Sequence, residues 1–126
     1  MSAIRKALAA CAAPLVRTEG EEGFCRDYHP GADFVGFAGH FPGQPILPAV
    51  VQVLMAEMTI ALALGRDTPT GLVRHAKFMH PLHPGSTITC QVTPQDAKGG
   101  CWECRLLLGE RLASSFRWYP LATTPE

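Results

Sequence analysis

Hydrophobic and polar positions along this chain follow different periods in different stretches, and each change of period predicts a change of element. Ser2 to Ala13 suits a short helix, with Ser2 as cap and Pro14 as stop. Glu21 to His29 alternates as a strand does. Pro30 to Pro48 is dense in Gly, Pro and Phe and has neither period, so it reads as a long structured loop. Ala49 to Leu64 is apolar nearly all round, with Pro48 before it and Gly65 after it. That is the punctuation of a helix buried on most sides. Gly71–Met79, Ser86–Thr93, Trp102–Leu108 and Arg111–Trp118 read as strands, separated by Pro84-Gly85, Lys98-Gly99-Gly100 and Gly109-Glu110. This order predicts an α+β fold: one long central helix wrapped by a curved antiparallel β-sheet.

Composition narrows the picture. A length of 126 residues suits one domain over 1–126. Hydrophobic residues make up 47% and charged residues 17%, which predicts a folded core and a surface partly hidden in an oligomer. Lys plus Arg and Asp plus Glu balance at 11 each, without a basic stripe, so nucleic acid is not an expected partner. Ala49–Leu64 falls short of the about 20 apolar residues of a membrane span and carries Gln52 and Glu57. Arg5-Lys6 ahead of Cys11 imitates a lipoprotein leader, but Ala7–Ala10 is far shorter than the roughly 7–15 residues of a signal core, so no leader is expected. The five cysteines, an odd number spread through the chain, predict reduced thiols and a cytoplasmic setting rather than a disulfide framework. Cys101 and Cys104 lack a second pair for zinc.

Candidate chemistry concentrates in Gly39-His40-Phe41-Pro42-Gly43-Gln44-Pro45-Ile46-Leu47-Pro48, which runs straight into the helix. His40 sits in a loop stiffened by three prolines, and histidine suits proton transfer near neutral pH. The helix start beyond Pro48 offers unpaired N–H groups that suit a carbonyl oxygen gaining negative charge. From the residues alone, a merely structural histidine is an equally fair reading. Phe34, Phe37 and Phe41 suit an acyl tunnel or ordinary core. His80 and His83 flank Pro81 without a third ligand nearby, so they read as solvent-facing turn residues and no metal is expected. Phe78 is expected to face the core and Lys77 to face out.

Gly39 to Pro48 resembles the signature loop of the 3-hydroxyacyl-[acyl-carrier-protein] dehydratases of the hot-dog superfamily. Ala76-Lys77-Phe78, Pro81 and Pro84-Gly85 resemble the strand and turn that follow in that family, and the likeness extends over roughly Glu21 to Trp118. Gln52 and the short chain are similar to a small branch of aryl-polyene type. The resemblance implies a hot-dog fold whose two protomers join sheets edge to edge and share two sites. It implies that His40 takes the C2 proton of a 3-hydroxyacyl thioester and that a carboxylate from the other protomer's helix helps the hydroxyl leave. Phe41, Pro48, Ala49, Val50 and Leu54 would contact a substrate carried by acyl carrier protein, with no cofactor.

This chain departs from that pattern at two positions. The family's acid position is Leu54, and the glycine after the last loop proline is Ala49. Glu57, three residues on from Leu54 and on the same side of the helix, is the expected substitute acid, reaching toward the partner's site. Three readings follow. The chain is an active dehydratase; it is a thioesterase, which needs no acid at 54; or it is a non-catalytic subunit of a hot-dog heterodimer.

Overall fold

The computed structural model describes residues 3–18, 22–35, 46–67, 71–96 and 100–121. Helix α1 spans Ala3–Ala10 and buries Leu8. Two short strands follow, β1 (Val16–Arg17) and β2 (Phe24–Tyr28). Helix α2 covers Ala49–Leu64, the span its punctuation predicts. Pro48 is extended, with φ −64 and ψ 153, and cannot continue a helix backwards. At the other end Gly65 takes φ 71, so its N–H reaches Leu62 O at 3.1 Å and that of Arg66 reaches Ala61 O at 3.1 Å. This pair of bonds is a Schellman cap, and its left-handed residue favours glycine.

Strands β3 (Gly71–Phe78), β4 (Ile88–Pro94), β5 (Trp102–Leu108) and β6 (Arg111–Pro120) complete the order β1-β2-β4-β5-β6-β3, every neighbour antiparallel. Strand β3 is thus an edge of the sheet. Ile88, Cys90 and Val92 of β4 and Trp102, Cys104 and Leu106 of β5 alternate inward, as period-2 patterning requires. They meet Met55, Ala56 and Ile60 of α2, with Phe116 and Trp118 of β6 in the same cluster. Each large side chain removed from water there is worth about 1.5–3 kcal/mol. This core holds α2 against the sheet.

The helix is buried on most sides, as expected, with Val50 at its start 74% exposed and Leu62 and Leu64 open at its end. One expectation changes. Phe78 does not face the core: it is 45% exposed, as Lys77 is exposed beside it. The register against β6 slips between Arg74 and Lys77, and His75 takes φ 57. A bulge of this kind breaks strict alternation. Phe78 stacks on Phe116, with ring centroids 6.4 Å apart and ring planes inclined by 29°. No helix among the described residues is long and apolar enough to cross a membrane.

Candidate active site

His40 and Phe41 lie outside the described residues, so the site is built from what their loop runs into. Leu47 is buried, and its N–H donates to Leu82 O at 2.8 Å. Pro48 O accepts from Val51 N at 3.0 Å and from Gln52 N at 3.1 Å, which starts the helix. The N–H groups of Ala49 and Val50 precede any intrahelical acceptor and meet none among the described residues. They form the partially positive end of α2.

That end opens on a cavity of about 490 Å³. Pro48, Ala49 and Gln52 form one wall, and Phe78, Met79, His80 and Pro81 form the other. Ala113 O of β6 fixes the second wall, accepting from Met79 N at 2.8 Å and from His80 N at 3.1 Å. Of the residues singled out in the sequence, Pro48 and Ala49 line this cavity, whereas Val50 and Leu54 are not part of its lining. Leu54 packs half-buried against the core. His80 does line the cavity and is only partly exposed, unlike the solvent-facing turn residue expected. His83 is exposed.

Glu57 is 6% exposed and faces the sheet of its own protomer. Its Oε2 accepts from Trp118 Nε1 at 2.8 Å and from the N–H of Gly71 at 3.0 Å. The carboxylate therefore ties α2 to β6 and to the first residue of β3. Gly71 has a steric reason to be glycine, since a Cβ there would overlap the Trp118 indole.

Gln52, noted in the sequence for its likeness to the small branch and given no role in the site, is 5% exposed. Its Nε2 donates to Leu47 O at 3.0 Å, and its Oε1 accepts from Ser114 Oγ at 2.7 Å. The available signal was an amide in an apolar helix, which must find partners when buried. Thiol chemistry is disfavoured here: burial pushes the Cys90 thiol up to about 12 and raises Cys104 as well. Such thiols stay protonated at neutral pH and are poor nucleophiles. Among the described residues no cluster of three or more His, Cys, Asp or Glu could hold a metal ion.

The family model described as ApeI-like, ApeI dehydratase, matches residues 18–115. The chain belongs to the ApeI-like family. A relative of this ApeI-like chain, the 3-hydroxyacyl-[acyl-carrier-protein] dehydratase FabZ of Latilactobacillus sakei, is 39% identical over 69 residues, 49% of each protein. The FabZ protein of a Wolbachia strain is 33% identical over 78 residues, covering 56% of this chain and 54% of its own. The chain spans about half the length of the curated relatives it matches. Among solved structures, the dehydratase heterocomplex ApeI:P from Xenorhabdus doucetiae superposes with TM-score 0.75 at 22% identity, over 88% of this chain and 96% of that one. The PaaI protein of E. coli gives TM-score 0.64 at 16% identity, over 92% and 85%. The fold is the hot-dog: α2 is the sausage and the six strands are the roll.

Proposed function

We propose that this chain is a dehydratase subunit acting on 3-hydroxyacyl thioesters presented by acyl carrier protein, in fatty-acid or polyene synthesis in the cytoplasm. The observation that carries the reading is the start of α2. Directly after the segment that carries His40, Ala49 lines a cavity walled largely by apolar side chains, at a helix start whose first two amides meet no acceptor among the described residues. A thioester carbonyl oxygen at those amides would be polarised, making the adjacent C2 proton more acidic. His40 takes that proton as general base. The C3–O bond then breaks, the hydroxyl leaves as water after receiving a proton, and a 2-enoyl thioester remains.

The leaving hydroxyl needs a donor. Leu54 has no proton to give, and one oxygen of Glu57 is held by Trp118 and Gly71 inside its own sheet. In this reading Glu57 anchors the fold and a second hot-dog chain supplies the acid. ApeI:P from Xenorhabdus doucetiae is a dehydratase heterocomplex, which gives such pairing a precedent. The free edge of β3 is the surface offered for it.

The test is the purified chain, alone and with a hot-dog partner, given 3-hydroxyacyl and saturated acyl thioesters of a carrier protein. Enoyl product from the first substrate supports the proposal. Free thiol without enoyl product would instead make the chain a thioesterase. His40→Ala is expected to abolish turnover, a loss of about 10²-fold or more, with the melting temperature unchanged. Undiminished turnover by that variant sinks the assignment of the base.

A further inference from the structure

The two walls of the cavity are held by adjacent residues of one strand. Ala113 O takes the N–H groups of Met79 and His80, and Ser114 Oγ, one residue on, donates to Gln52. Both Ala113 and Ser114 are buried, although neighbours in a regular strand point to opposite faces. The β5–β6 register slips at this level, pairing Leu106 with Ser114 but Leu107 with Leu112. That irregularity allows Ser114 to turn its hydroxyl to the helix.

Gln52 spans the remaining gap. One end of its amide is fixed on the sheet through Ser114, and the other holds Leu47 O. Leu47 N–H is in turn fixed to Leu82 O. The peptide that enters Pro48 is thereby clamped from both sides, immediately before the amides of Ala49 and Val50, which meet no acceptor among the described residues. An apolar residue of similar size would fill the same space without holding that corner.

We propose that Gln52 is the positioning residue of this site, setting the direction in which the Ala49 end of α2 faces the cavity. Its kinetic consequence rests on the dehydratase reading; its structural consequence does not. Gln52→Glu is the discriminating variant. A protonated glutamic acid can donate to Leu47 O and accept from Ser114, as glutamine does, whereas a carboxylate places two oxygens against each other at Leu47. Misdirected amides act on the developing oxyanion, so kcat is expected to fall roughly 10–100-fold with KM little changed. The ratio of variant to unaltered kcat is expected to drop as pH rises, while Gln52→Met is low at every pH. Amide NMR shifts of Leu47, Ala49 and Val50, read in both variants, report the corner directly and require no turnover. In Gln52→Glu they are expected to return toward the unaltered positions at low pH. Shifts that match the unaltered protein in both variants at all pH values overturn the proposal, as does a flat activity ratio near one. If the unaltered chain forms no enoyl product, the dehydratase reading fails and the amide shifts alone decide the role of Gln52.

Discussion

Glu57 illustrates how much a single residue's role depends on partners that are distant in the sequence. A lone carboxylate on an apolar helix, one turn from the position where the family carries its acid, has the profile of a catalytic group. Its two donors, Trp118 and the Gly71 amide, lie 61 and 14 residues away, and nothing local announces them. The roles separate by substitution. Glu57→Leu leaves an indole N–H and a backbone N–H without an acceptor, at roughly 1–3 kcal/mol each, so a loss of about 2–6 kcal/mol is expected in denaturant unfolding. Glu57→Gln retains an acceptor oxygen and is expected to cost about 1 kcal/mol, with turnover within about twofold of the unaltered protein. A collapse of turnover in Glu57→Gln, without a matching loss of stability, would return Glu57 to the role of acid. Buried polar side chains were visible in the sequence as exceptions to an apolar pattern. Which of them face the cavity and which face the sheet was not, because a half-turn of helix decides it. Gln52 lines the cavity, whereas Glu57 and Thr59 point elsewhere, Thr59 to the hydroxyl of Tyr28 at 3.0 Å.

At the scale of elements, legibility follows local chemistry. Helix α2 was readable to the residue because Pro48 and Gly65 each act through their own backbone geometry. The hairpin from β5 to β6 was readable from Gly109, which takes φ 62. The bulge in β3 was not readable, since histidine carries no preference strong enough to announce a left-handed conformation. His75 at φ 57 costs roughly 1–2 kcal/mol relative to an ordinary backbone. The sheet tolerates that cost where the pairing of Arg74 and Lys77 with β6 slips by one residue. His75→Gly removes the steric strain and adds a comparable loss of chain entropy, so stability is expected to stay within about 0.5 kcal/mol. His75→Val is expected to cost about 1–2 kcal/mol more, because a β-branched residue is poorly accommodated there. Chemical denaturation of both variants checks this, and a neutral valine substitution would show that the strand runs straight. The bulge also matters beyond its own strand, because it divides the free edge of β3 and leaves Gly71–Arg74 as its regular portion.

For the molecule as a whole, what the isolated chain leaves open points to its mode of assembly. Leu72, Phe78 and Met79 are exposed along or just beyond β3, and Val50 is exposed at the start of α2. A chain with only 17% charged residues has little polar surface with which to surround such a patch. The outer side of β3 pairs with no strand among the described residues, and solitary proteins usually protect such an edge, which a second sheet can extend. Paired sheets joined along β3 would cover the apolar residues and bring two cavities near one interface, where each site could draw a group from the neighbouring chain. The purified chain is therefore expected to show twice 13.6 kDa by light scattering at micromolar concentration. Stable interfaces bury about 1,200–2,000 Å² in total, and two buried cations at the edge oppose that burial strongly. Leu72→Lys is expected to reduce the mass to a single chain, while circular dichroism retains the sheet signal. A mass of two chains that persists in this variant would place the self-pairing surface elsewhere than on β3. A single-chain mass for the unaltered protein would rule out self-pairing through β3 and leave only a different hot-dog chain as the partner for that edge.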